Sequence, residues 1–151
     1  MKLVTLLSLV GALIAGFVVA IQPGINGQLR SHLGSPFQAS TISFLVGFTT
    51  ILSVSLIAGH GLPRPASLGS APPWLYLGGG VVGAFFVTTA ILVAPRIGAT
   101  YWVALVVLGQ MASSVMLDHY GWLGFEKTSV SPGRLFGVGM IVLGVALVAR
   151  R

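Results

Sequence analysis

Five apolar stretches divide the chain, at 3–21, 37–58, 74–94, 99–117 and 133–149. Apart from Arg134 at the mouth of the fifth, none contains Asp, Glu, Lys or Arg. At ~1.5 Å rise per residue a helix over 3–21 is about 28 Å long, close to the ~30 Å hydrocarbon core of a bilayer. The pattern predicts five membrane-crossing helices in one domain covering 1–151. Ser35-Pro36 and Ser131-Pro132 precede the second and fifth stretches as cap and first-turn proline, a helix-start signal. The third opens after Pro72-Pro73, and the Gly-, Pro- and Ser-rich segment 59–73 reads as a connector.

Polar residues interrupt this pattern at two places. Gln22, Pro23, Asn26, Gln28 and Arg30 arrive together at the end of the first stretch. Gln22 and Asn26 are four apart, so on a helix they share one face, nearly in line with Gly11 and Ala15. Pro23 removes a backbone donor between the amides and can kink or break the helix. The second place is the fourth stretch, where Gln110, Ser114 and Asp118 fall at i, i+4 and i+8 on one face. Asp118 would end a helix there, where the dipole disfavours a negative charge, so a turn amide or a neighbouring cation is expected to compensate. The hydroxyls of the second stretch, from Ser40 to Ser55, can bond back to their own helix. Gly79 with Gly83, and Gly133 with Gly137, are four apart, a spacing that lets helices approach closely in lipid.

Composition agrees with a membrane protein. Of the 151 residues, 55% are hydrophobic and 7% charged, against about 25% charged in soluble domains; mean hydropathy is +0.98. All three Trp and all three Tyr sit at the ends of the apolar stretches, where amphipathic rings meet the headgroups. The net charge of +6 comes from cations that flank the stretches rather than cluster, which argues against a nucleic-acid surface. Absence of cysteine excludes disulfides and thiolate chemistry. His32, His60 and His119 lack metal-ligand spacing, and no phosphate loop or nucleophile–base pair is present. No enzyme, cofactor or metal is expected.

Orientation should follow Lys and Arg near the membrane. Lys2, Arg64, Lys127 and Arg134 fall on the N-terminal side, and Arg30, Arg96, Arg150 and Arg151 on the other, four against four. Either one residue such as Arg30 dominates, or the chain inserts both ways and pairs with an inverted copy of itself. Many transporters need two inverted repeats around a midplane site, and five helices supply one half.

The run Gly16…Gln22…Asn26…Leu29, the Ser35-Pro36 start leading to Ser43-Phe44…Gly47, Gly78-Gly79…Gly83, and Gly109-Gln110…Ser114…Asp118-His119-Tyr120-Gly121 resemble the YdcZ-type five-helix inner-membrane proteins, a branch of the drug/metabolite transporter superfamily. Tyr120 stands where Phe is commoner in that motif. The resemblance covers nearly the whole chain. It implies a multi-pass protein of the bacterial inner membrane and a ten-helix dimer of oppositely inserted halves. The related small multidrug exporters carry a carboxylate in their first helix; this chain has none there. That argues against proton-coupled export of organic cations by their mechanism.

The expected function is therefore transport, with export the expected direction, of a neutral or zwitterionic small molecule by alternating access between inverted halves. Gln22, Asn26, Gln110 and Ser114 are the candidate solute contacts, and Asp118 a structural or coupling acid. Each has a plainer reading: the glutamines and Asn26 as helix–helix or interfacial bonds, Ser114 as packing, Asp118 as a solvated turn. The expected partners are the bilayer, a solute, and either an antiparallel twin or a paralogous five-helix subunit. A non-transporting subunit or heterodimer partner is the first alternative. A small passive channel is the second, although no charge ring or repeated carbonyl filter supports it.

Overall fold

The computed structural model describes residues 3–63 and 71–149. Lys2, Arg64, Arg150 and Arg151, half of the cations counted above, lie outside the described residues. Helix α1 runs Leu3–Leu33, α2 Pro36–Ile57, α3 Pro73–Ile97, α4 Ala99–Tyr120 and α5 Pro132–Ala149, with a 3-10 turn at Trp122–Gly124. The fold is all-α, and all five helices are long and apolar enough to cross a membrane. At most 22% of the most apolar 18-residue window of any helix is buried within the chain. Their apolar surface thus faces outward, as lipid solvation requires.

Helix α1 does not stop at Ile21. It passes through Pro23, which is buried, and ends ten residues later. At about 46 Å it is longer than the hydrocarbon core is thick. Residues 24–33 contain nothing else that forbids helix, and the stop comes at Gly34. That residue adopts φ 75 and donates its N–H to the Arg30 carbonyl at 2.8 Å, the glycine C-cap geometry. The expected starts are present at both serines. Ser35 Oγ accepts from the Gln38 N–H at 3.4 Å, and Ser131 Oγ from the Arg134 N–H at 3.3 Å.

The chain divides after Arg96 into two compact units. In the first, the core is Ala39, Val87 and Ile91, flanked by Leu29, Leu33 and Phe86, so all three helices contribute. One polar contact fixes this packing. Pro95 has no N–H to give the carbonyl four residues earlier, which is that of the fully buried Ile91. Arg30 on α1 donates to that carbonyl from its guanidinium at 3.3 Å. The helices come close at the same level, where a Cβ on Gly27 would stand 3.5 Å from Pro95 Cγ. Higher on α3, a Cβ on Gly83 would meet the Phe44 ring at 3.3 Å. Gly83 therefore packs as its spacing predicts, whereas Gly79 meets nothing within 4 Å among the described residues.

Six of the seven α2 hydroxyls divide into two groups, and the seventh, Ser55, donates to the Gly61 carbonyl in the following loop at 2.8 Å. Thr41, Thr49, Thr50 and Ser53 bond back to carbonyls of their own helix at 2.7–3.0 Å. Ser40 instead pairs with Thr88 on α3 at 3.0 Å, and Ser43 with Asn26 on α1 at 3.3 Å. These two tie α2 to its neighbours.

In the second unit α4 and α5 pack against each other. Gly121, at φ 67, caps α4 by donating to the Leu117 carbonyl. The connecting loop is held by the Thr128 N–H on the Asp118 carbonyl at 2.7 Å and the Val130 N–H on His119 Nδ1 at 3.5 Å.

If Arg30 serves the carbonyl that Pro95 abandons, the two substitutions must be coupled. Arg30→Leu is expected to cost about 1–2 kcal/mol in the parent protein. It should cost clearly less in a Pro95→Ala background, where the restored N–H serves Ile91. Reversible unfolding in detergent micelles measures the cycle, and equal costs in both backgrounds would sever the link.

Candidate functional site

Gln22 and Asn26 stand where their four-residue spacing puts them, on the side of α1 that faces α2. They line a recess of about 680 Å³ together with Ser43 and apolar side chains including Ala15, Val18, Ile42 and Val46. The two amides are not equivalent. Asn26 is buried at 4% exposure, and its Nδ2 donates to Ser43 Oγ. One amide donor is therefore committed to holding α1 on α2. Gln22 is half-buried, and its amide has no hydrogen-bond partner among the described residues. An uncommitted amide one turn from an anchored one, in an apolar recess, is an arrangement suited to fixing a small ligand's orientation. None of the lining residues carries an ionisable group, so the recess offers donors and acceptors but no net charge.

The other candidates lie in the second unit. Gln110 is exposed on α4 and likewise has no partner among the described residues. Ser114 is exposed and bonds back to the Met111 carbonyl at 3.0 Å. Asp118 accepts from Arg134 Nη1 at 3.1 Å, both side chains being about a third exposed. The compensating cation expected from a neighbouring helix is thus Arg134. Ser114, Asp118 and Arg134 line a second, smaller groove between α4 and α5, of about 340 Å³. Gln110 is not among its lining residues.

Three residues escaped the sequence reading as parts of a site: Ser43, Arg134 and Arg30. Ser43 is one of seven hydroxyls on α2, and nothing in its local sequence distinguishes it from those that bond back. Arg134 carried a signal. It sits in the first turn of α5, at the helix end that repels cations, just as Asp118 sits at the end that repels anions. Two charges, each misplaced on its own helix and separated by one loop, point to each other. Arg30 could have been matched to Pro95 only with the packing of α1 on α3 in hand.

The bond between Asn26 and Ser43 should be measurable. Asn26→Ala and Ser43→Ala, singly and together, are expected to give a coupling of about 0.6–1.7 kcal/mol by unfolding in micelles. Asp118→Asn, at a partly solvated pair, should cost at most about 1 kcal/mol. A larger loss for Asp118→Asn than for Asn26→Ala would reverse this ranking of the two polar sites.

Comparison with known proteins bears on the same question. The family described as "Putative inner membrane exporter, YdcZ" matches residues 7–147. The protein described as "Inner membrane protein YdcZ" from Escherichia coli strain K12 is 28% identical over 145 residues, covering 96% of each chain. No solved structure matches.

Proposed function

The chain belongs to the YdcZ family of inner-membrane proteins, and from that premise we propose that it exports a neutral or zwitterionic small molecule. The observation that carries this reading is the α1–α2 recess, where an uncommitted Gln22 amide lies beside the anchored Asn26 amide in apolar surroundings. A pair of amides, one buried and one half-buried, can discriminate by hydrogen bonding, because a solute lacking the matching group leaves protein donors unpaired. The uncharged lining disfavours an ion without its hydration shell.

The working unit in this reading is an antiparallel dimer of ten helices, with alternating access arising from rocking of the inverted halves. Support comes from the even division of Lys and Arg and from the outward-facing apolar helices. Glycines on α3 and α5 that meet nothing within 4 Å among the described residues, such as Gly79 and Gly139, add to it. Small residues that meet no neighbour within the protomer leave room for a helix from another. In the same reading Gln110, an outward amide without a partner among the described residues, meets the inverted copy. Ser114 and Asp118 shape the second groove.

Proteoliposome flux tests the recess. With a panel of radiolabelled neutral and zwitterionic amino acids and sugars, saturable flux of at least one member is expected. Gln22→Ala should lower it about tenfold, the equivalent of roughly one lost hydrogen bond to solute, with thermal stability unchanged. Flux indifferent to Gln22→Ala removes the recess as the solute site.

Topology is a separate test, made simple by the absence of native cysteine. A Glu126→Cys protein in intact cells should label from both sides of the membrane. Labelling of the whole pool from one side only rejects the inverted homodimer.

A further inference from the structure

The groove of the second unit is chemically unlike the recess of the first. Met111, Ser114 and Asp118 on α4 face Ile141, Gly137 and Arg134 on α5. Each set spans seven residue steps, so the groove follows the helices for about 10 Å. One end is wholly apolar, at Met111 and Ile141. The other end holds the Asp118–Arg134 pair. Beside that end, Tyr120 and Trp122 stack with ring centroids 4.7 Å apart. Both are more than half exposed, the behaviour of rings at headgroup depth.

The electrostatics of the charged end are organised by the helix termini. Asp118 lies in the last turn of α4 and adds to the negative partial charge of that terminus. Arg134 lies in the first turn of α5 and adds to a positive one. A negative and a positive region therefore stand side by side at the groove mouth. Arg134 uses one Nη1 donor and Asp118 one carboxylate oxygen in their mutual bond. Guanidinium offers five donors and carboxylate two acceptor oxygens, so each can serve a further partner. Gly137 contributes to the width of the groove, since a Cβ there would meet nothing within 4 Å.

We propose that this groove is a binding site for a zwitterionic phospholipid with a primary ammonium headgroup. Phosphate lies against Arg134 and the α5 N-terminus, ammonium donates to Asp118, and one acyl chain lies along Met111, Val115, Val138 and Ile141. The juxtaposed charges match a headgroup that carries both signs. The apolar continuation selects a lipid over a soluble zwitterion. A primary ammonium is selected over a quaternary one because only the former has N–H donors for the carboxylate. The site is independent of the solute recess, so its test stands whether or not transport is found.

The test titrates phosphatidylethanolamine into the purified protein in micelles and follows thermal unfolding and native mass spectrometry. Phosphatidylcholine, phosphatidylglycerol and soluble phosphoethanolamine are the controls. Phosphatidylethanolamine should bind about tenfold more tightly than either other lipid, and phosphoethanolamine should give no shift at equal concentration. Asp118→Asn should abolish the preference over phosphatidylcholine. Gly137→Leu, which fills the groove where a side chain meets no neighbour, should weaken binding about tenfold in a protein that still unfolds cooperatively.

Equal affinity for all three lipids, or a Gly137→Leu protein that binds as before, overturns the proposal. A shift by phosphoethanolamine alone reassigns the site to a soluble zwitterion. Efficient cross-linking of a Val138→Cys protein to its twin reassigns the groove to a subunit interface. Either result also overturns it.

Discussion

Inside hydrocarbon a polar atom has no water to fall back on, and the packing of the first unit is governed by that constraint. Pro95 would be a defect in a bilayer-spanning helix, since it strands the carbonyl of Ile91 at a fully buried position. Arg30 resolves the defect from another helix. A proline on α3 thereby becomes an acceptor that only a correctly placed α1 can satisfy. The packing of α1 on α3 is thus specified by a group missing from one helix and supplied by the other. Apolar burial alone could not specify it, because lipid tails are as apolar as the helices.

The same constraint sorts the hydroxyls of α2. A Ser or Thr on a lipid-facing position satisfies itself on its own helix, as Thr41, Thr49, Thr50 and Ser53 do. Ser40 and Ser43 face other helices and reach across to Thr88 and Asn26. Asn26 is therefore both a strut and a wall of the recess, and its role as a strut limits its freedom to rearrange. Gln22, one turn earlier, has no such tie among the described residues and is the freer of the two side chains.

This sorting explains what could be read from the sequence. Helix existence, the two Ser-Pro starts and the pairing of Gln22 with Asn26 follow from hydropathy and local spacing, because they depend on one helix at a time. The expectation that Asp118 needs a turn amide or a neighbouring cation also follows from one helix, through its dipole, and the partner of its carboxylate is the cation Arg134. Helix α1 continues past its apolar stretch because Pro23 ends a helix only when nothing else supports the turn; here the stop is Gly34. Ser43 and Arg30 were invisible for the complementary reason. Their partners lie 17 and 61 residues away, and nothing in either local sequence records which helix will be adjacent.

The two units solve the problem of polarity in lipid in opposite ways, and the difference bears on what each can handle. The recess on α1 and α2 is lined by apolar side chains, and its polar groups are only two amides and a hydroxyl. A charge brought there without its hydration would cost several kcal/mol that no opposite charge returns. The groove on α4 and α5 places its full charges at the helix ends, partly solvated, where the cost of ionisation is small. A neutral site in the apolar stretch and a charged one at the end is the distribution that burial energetics favours. It also keeps hydrogen-bonding groups and full charges apart along the chain. A single mixed site would have to hold its ion pair in hydrocarbon, and its amides would then compete with those charges for the same donors and acceptors.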